Sequence, residues 1–276
     1  MAVIRQNAHR YSVSAMCRCL GVSRSSYYYH STKKQDDNNL VSAIKTIFDD
    51  SHGIYGARKI KAALWRSKHL RVSRRHIRRI MKTHHLVSVY TKKAYKKHHS
   101  AVNEAPIPNR IQRRFSGHAP YAVVTGDLTY VKVKNKWHYI CLFVDLFNRE
   151  IVGYSAGAHK TAHLVYDALR TMTIDLRRIQ YVHSDRGSEF NAKLLDAVWK
   201  TFGIQQSLSR KGCPYDNAVS ESTFHIIKTE FIRNRSFESL QQLRQELAVY
   251  VYWYNTIRIH GSLNYQTPAT VRQSPL

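Results

Sequence analysis

Three apolar runs follow one another closely over residues 122–133, 137–146 and 150–156. Each is rich in β-branched and aromatic residues. The polar breaks Lys134-Asn135-Lys136 and Phe147-Asn148-Arg149 suit hairpin turns, so the pattern predicts three antiparallel strands. Beyond residue 156 the pattern alternates: a helix over about 161–176, a strand over 179–183, a helix over 191–202 and a strand over 204–208. Two further helices are expected over about 217–233 and 239–255. Strands in a meander succeeded by strand–helix alternation make a mixed α/β sheet with helices on its faces. No glycine-rich phosphate loop comes after any of these strands, which argues against an NTPase or a dinucleotide enzyme.

The first part of the chain has a different texture. Residues 11–30 read as two short helices about Leu20-Gly21-Val22, with Gly21 in the turn and Ser23 capping the second helix. Arg24 and three tyrosines lie near its start, where a recognition helix would meet DNA. A small structural helical hairpin is the alternative. After a polar break over 33–39, Leu40, Val41, Ile44, Ile47 and Phe48 fall at helical spacing. The turn His52-Gly53-Ile54-Tyr55-Gly56-Ala57-Arg58 then leads into a helix through Ile60, Ala63, Leu64 and Trp65. Ser73 caps a further helix whose Ile77 and Ile80 face inward while Arg74, Arg75, Arg78 and Arg79 face out. Arginines at that density repel one another unless they are solvated or set against phosphates. The expected organisation is a helix-turn-helix segment over 1–32 and a second helical DNA-binding unit over 38–88. A basic linker over 89–114 and an α/β domain over 115–276 complete it.

Charge supports this division. Of 44 Lys and Arg against 18 Asp and Glu, 25 and 5 fall within residues 1–114, a net of +20 there against +6 in the remainder. Such an excess calls for a polyanionic partner. No stretch approaches the length of an apolar membrane span, and the start lacks the apolar core of a secretory signal. Four scattered cysteines make no disulfide framework. A cytoplasmic protein of the nucleoid, bound to DNA and not to a membrane, is the expectation. His84, His85, His98 and His99 lack the cysteine pairs and spacing of a zinc site and read as solvated.

Three carboxylates stand where structure alone does not require them. Asp127 interrupts the apolar run AVVTGDLTYVKV, where an unpaired carboxylate is costly, so it needs a cationic partner or a metal. Asp185 directly follows a strand, in HSDRGS, where ligand sites of α/β sheets gather. Glu221 lies one turn into the helix that begins near Asn217, with Asn217 or Asp216 as its cap. Taken singly, Asp127 can pair with a lysine, Asp185 can build a turn with Gly187, and Glu221 can be a surface residue. Two more acids compete. Asp145 is expected to form a structural ion pair with Arg149, and Asp216 to act as a cap.

Jointly the three make a pattern. Asp185 and Glu221 have 35 residues between them, and Lys228 follows Glu221 by seven, two helical turns along one face. The flanking words are GDLTYV, HSDRGSEF and DNAVSESTFHIIKTE, and the chain ends in YWYNTIRIHGSLNYQTPATVR. With Asp127 as the first aspartate, this resembles the Asp–Asp–Glu transposases and retroviral-type integrases. Within them it resembles the second-frame product, OrfB, of bacterial insertion sequences with two overlapping frames. Val124 stands where the family often has tryptophan, and Gly126 is unusual before the first aspartate.

The resemblance implies a ribonuclease-H-like catalytic core behind a helix-turn-helix region. It implies that Asp127, Asp185 and Glu221 are catalytic and metal-binding, holding two Mg²⁺ ions, for which Mn²⁺ can substitute. Such ions, roughly 3.5–4 Å apart, serve the attacking and the leaving oxygens of in-line phosphoryl transfer. The implied reaction cleaves element ends and joins the 3′-hydroxyl to DNA. Candidate DNA contacts are Lys228, Arg210, Lys211, Arg74, Arg75, Arg78, Arg79 and Arg24. Implied partners are the terminal inverted repeats and target DNA, further copies of the chain assembled on DNA, and the upstream-frame OrfA product or an OrfA–OrfB fusion. The alternatives are a non-catalytic DNA-binding regulator, as a decayed transposase would be, and a tyrosine recombinase using one of Tyr27 to Tyr29. The last lacks an Arg–His–Arg constellation around those tyrosines.

Overall fold

The computed structural model of the chain describes residues 2–28, 38–91, 107–210, 213–233 and 235–273. Residues 33–37 of the polar break, most of the expected basic linker with His98 and His99, and Lys211 therefore lie outside the described residues, while Asn38 and Asn39 of the break are helical. The chain divides into two units, residues 1–42 and 43–276.

The first unit holds α1 (Ala2–Asn7), α2 (Val13–Cys19) and α3 (Arg24–Tyr28). The two-helix reading about Gly21 is met: Gly21 has φ +64°, and the Ser23 hydroxyl accepts the Ser26 N–H at 3.1 Å. Helix α1 is an addition to that reading. It buries Ile4, and α2 buries Cys17.

The unit boundary falls within α4 (Asn38–Asp50), which is followed by α5 (Ala57–Lys68) and α6 (Arg74–Thr83). Ile44, Ile60, Leu64, Ile77 and Ile80 are fully buried. Each such side chain stabilises the fold by about 1.5–3 kcal/mol. Ser73 caps α6 as expected, accepting the His76 N–H at 3.2 Å. Trp65 of α5 is 44% exposed and lies under the Arg71 guanidinium at 4.8 Å.

Five strands come next: β1 (Val123–Val133), β2 (Lys136–Asp145), β3 (Ile151–Gly157), β4 (Tyr181–Ser184) and β5 (Gln205–Leu208). Their spatial order is β3-β2-β1-β4-β5, with β1, β2 and β3 antiparallel and β1, β4 and β5 parallel. This is the mixed, ribonuclease-H-like sheet that was expected. Helices α7 (Ala162–Arg170) and α8 (Lys193–Phe202) lie between the parallel strands in sequence. Leu164, Val165, Leu195 and Trp199 from them pack on Val124, Cys141 and Phe143 of the sheet. Gly126 has its reason here. It faces Phe143 across the β1–β2 ladder, and a Cβ would stand 2.6 Å from that ring and 3.0 Å from Phe190.

Helix α9 (Ala218–Ile227) runs into a π-helical turn, Lys228–Ile232, and α10 (Leu240–Thr256) and α11 (Pro268–Gln273) close the chain. The motif words at the two ends of this unit turn out to be structural. Arg258 of YNTIRIH donates to buried Glu230 at 2.6 and 2.8 Å, and Tyr90 and Tyr250 donate to the same carboxylate at 2.5 and 3.0 Å. Tyr55 of HGIYGARK accepts the Ile259 N–H at 2.9 Å, and Asn255 exchanges two hydrogen bonds with the Ile151 backbone. The α5–α6 helices and the sheet domain are thus joined through a buried polar cluster.

Candidate active site

Strand register brings two of the expected carboxylates together. The parallel pairing of β1 with β4 ends at Gly126 beside Ser184; Asp127 follows within β1, and Asp185 is the first residue past the end of β4. Side chains at matching register positions share a face, and neighbouring strands lie about 4.8 Å apart. Burial, and next the Asp185 carboxylate, push the Asp127 pKa up to about 8. The Leu128 N–H, donated at 2.7 Å, and the Lys228 ammonium oppose that rise, and Glu189 adds to it. Asp185 accepts the Gly187 N–H at 2.9 Å, which fixes the turn after β4. Two neighbouring carboxylates, one within β1 and one just past β4, form an anionic, oxygen-only donor pair. That donor chemistry fits a hard divalent cation.

Glu221 sits on the exposed side of the first turn of α9. Its neighbour Ser220 hydrogen-bonds Thr125, two residues before Asp127, so the turn is tied to β1. Among the described residues no group of three or more His, Cys, Asp or Glu is arranged to hold a metal ion. The structure therefore brings Asp127 and Asp185 together and leaves Glu221 outside that pair. Lys228 closes α9, exposed, with its ammonium 5.2 Å from the centre of the Tyr130 ring.

The competing acids are accounted for differently than expected. Asp145 is fully buried and accepts the N–H groups of Tyr121 and Phe147, both at 3.1 Å, while the Arg149 guanidinium donates to the Phe115 carbonyl at 2.7 Å. Burial raises the Asp145 pKa to about 6. The expected ion pair is replaced by two backbone donors, Phe147 of the turn after β2 and Tyr121 just before β1. Asp216 is not a cap. Its buried carboxylate takes Arg113 at 2.7 Å and Arg210 at 3.0 Å, which hold its pKa well below the usual carboxylate range. Asn217 makes no side-chain cap bond either.

The candidate DNA contacts are dispersed. Arg74, Arg75, Arg78 and Arg79 all lie on the exposed face of α6, opposite Ile77 and Ile80. Arg24 opens α3 and is stacked on Tyr28 at 5.7 Å. Arg210 is engaged with Asp216.

Two supporting residues were absent from the sequence reading. Glu189 is buried, paired with Lys160 at 3.0 Å, and its carboxylate lies against Gly187 where a Cβ would collide with it. His183 on β4 bonds the Ser207 hydroxyl at 2.9 Å and the Asp216 carbonyl at 2.8 Å, which fastens the approach to α9 onto the sheet. Only the glycine in SDRGSEF, a place of close approach, signalled the first of these.

Fold and site together define an integrase-type core behind a DNA-binding helical region. The family model of the integrase core domain matches residues 117–214, a second integrase core model matches 202–268, and an HTH-like domain model matches 34–94. The transposase for insertion sequence element IS904 of Lactococcus lactis is 34% identical over 236 residues, covering 83% of this chain and 91% of that protein. The transposase InsF for insertion sequence IS3A of Escherichia coli K12 is 30% identical over 272 residues, covering 94% and 93%. Among solved structures, the simian T-cell lymphotropic virus intasome in complex with the PP2A regulatory subunit B56 gamma aligns with a TM-score of 0.49 and 17% identity, over 84% of this chain and 75% of that one. The chain belongs to the insertion-sequence transposases and is a DNA transposase. No helix among its described residues is long and apolar enough to cross a membrane.

Proposed function

We propose that Asp127, Asp185 and Glu221 are the carboxylates with which this transposase cuts the ends of its element and joins their 3′-hydroxyls to DNA. The observation that carries the reading is that the β1–β4 pairing ends at Gly126 and Ser184, directly before Asp127 and Asp185, with the two carboxylates close enough for the charge of Asp185 to raise the Asp127 pKa. The Ser220–Thr125 bond beside Glu221 supports including the third. Magnesium, with manganese as substitute and two ions to a site, is the proposed cofactor; it supplies activation of the attacking oxygen and stabilisation of the leaving one. Lys228, close enough to lower the Asp127 pKa, would hold a phosphate of the strand beside the carboxylates. Arg74, Arg75, Arg78 and Arg79, with Arg24, Arg210 and Lys211, would take the DNA backbone. Assembly of several copies on the terminal repeats, with or fused to the upstream-frame OrfA product, belongs to the same proposal.

The test is joining of a duplex carrying the element's terminal repeat to a plasmid by the full-length protein. Joining should require Mg²⁺ or Mn²⁺, stop on chelation, and leave no covalent protein–DNA adduct. Glu221→Gln should bind the duplex and fail to join it. Joining in the presence of chelator, or an adduct on a tyrosine, contradicts the proposal.

A further inference from the structure

Trp137, the second residue of β2, stands by the hairpin tip with 53% of its surface exposed. Its ring meets Tyr130 edge-on at 5.1 Å, and the Lys132 ammonium lies 5.4 Å from its centre. Tyr130 in turn lies under Lys228 at 5.2 Å, and the charge of Lys228 reaches Asp127. An unbroken series, Lys132–Trp137–Tyr130–Lys228, thus runs from the hairpin tip to the carboxylate pair. The stretch 130–137, YVKVKNKW, contains three lysines and no acid. An indole left in water and flanked by lysines is poorly explained by core packing. Aromatic faces interleaved with cations are, however, what unpaired nucleotides require, since every base has a face to stack and a phosphate to neutralise.

We propose that Trp137, Tyr130, Lys132 and Lys228 form a stacking platform for unpaired nucleotides of the DNA strand that passes Asp127 and Asp185. The proposal rests on the reading of those carboxylates as the catalytic pair. Lys132 is exposed, so an incoming base can take its place over the indole and leave the ammonium to the adjoining phosphate. The occupant is DNA because the platform ends at the site of DNA chemistry and carries only positive charge.

The test uses the full-length protein with two fluorescent probes, a blunt duplex of about 20 base pairs and the same duplex with an overhang of about five thymidines. Trp137→Ala should weaken binding of the overhang probe by roughly 5- to 100-fold, the range that stacking of one base on an aromatic ring implies. Binding of the blunt probe should stay within about twofold, and Trp137→Phe should keep most of the overhang preference. Equal loss on both probes makes Trp137 an ordinary duplex contact and overturns the proposal, as does no loss on either. A change in oligomeric state with unchanged overhang binding would make the patch a protein interface and also overturn it. Metal-dependent joining by the wild-type protein is scored separately, so failure of the platform and failure of the catalytic reading give different results.

Discussion

Arg258→Ala is the substitution whose cost can be worked most directly from the structure. The Glu230 side chain is completely buried and that of Arg258 is 4% exposed, with their closest atoms 2.6 Å apart. Removing one partner of such a pair leaves a buried charge uncompensated, which costs about 3–5 kcal/mol. Two features keep the loss near the lower end. The Tyr90 and Tyr250 hydroxyls still donate to Glu230, and Lys59 stands nearby with its pKa lowered to about 7, by burial first and by Arg258 second. Without Arg258 the Lys59 pKa rises, and its charge becomes a partial substitute. A loss of about 3 kcal/mol in a domain of this size lowers Tm by roughly 6–12 °C. The assay is a thermal melt at neutral pH, monitored by circular dichroism. The double variant Glu230→Leu with Arg258→Met removes both ions and should recover most of the loss, because neither desolvation cost remains. If Arg258→Ala melts within about 2 °C of wild type, or the double variant melts below the single one, the cluster does not hold the helices to the sheet domain.

Two further outcomes concern the site and its surroundings. An acid whose folded pKa, here about 8, stands above its ordinary 3.8 makes the fold less stable as pH rises through that window, because the folded state must give up a proton it holds more tightly. Mg²⁺, which needs the ionised form, should therefore raise Tm more at pH 8 than at pH 6 in the wild type, and equally little at both in Asp127→Asn; a pH-independent shift would count against cation binding at the pair. Gly126→Ala sets a methyl 2.6 Å from the Phe143 ring and should cost about 1–3 kcal/mol, with Phe143→Leu restoring part of it in the double variant. An unchanged melt for Gly126→Ala would mean that the close approach is relieved by backbone movement.

Legible in the sequence was whatever depends on local pattern. The three antiparallel strands were readable because alternation and turn residues coincide. The capping of α3 and α6 was readable because Ser23 and Ser73 precede their helices by the right distance. The errors came from partners far away in sequence. Asp216 has the position of a cap, but Arg113, 103 residues earlier, claims its carboxylate. Asp145 has an arginine four residues on, yet the backbone at Tyr121 reaches it first. Glu189 itself carries no local signal of its burial, because its partner Lys160 lies on the connection before α7. Helix α1, six residues with one buried side chain, is too short to show a period. The same limit applies to the site. Spacing could nominate Asp127 and Asp185, but only the pairing of β1 with β4, which ends one residue before each of them, brings them near one another.

The central claim, that the pair at this register performs the chemistry, is tested most directly by strand joining with Asp127→Asn and Asp145→Asn measured side by side. Asp127→Asn keeps shape and hydrogen bonding and loses the charge that a divalent ion needs; Asp145→Asn alters a buried carboxylate that accepts the Tyr121 and Phe147 N–H groups. Asp127→Asn should stay folded, bind the terminal-repeat duplex and yield no joined product in Mg²⁺, while Asp145→Asn, though less stable, should still join. A folded Asp145→Asn without activity beside an Asp127→Asn that still joins would contradict the claim.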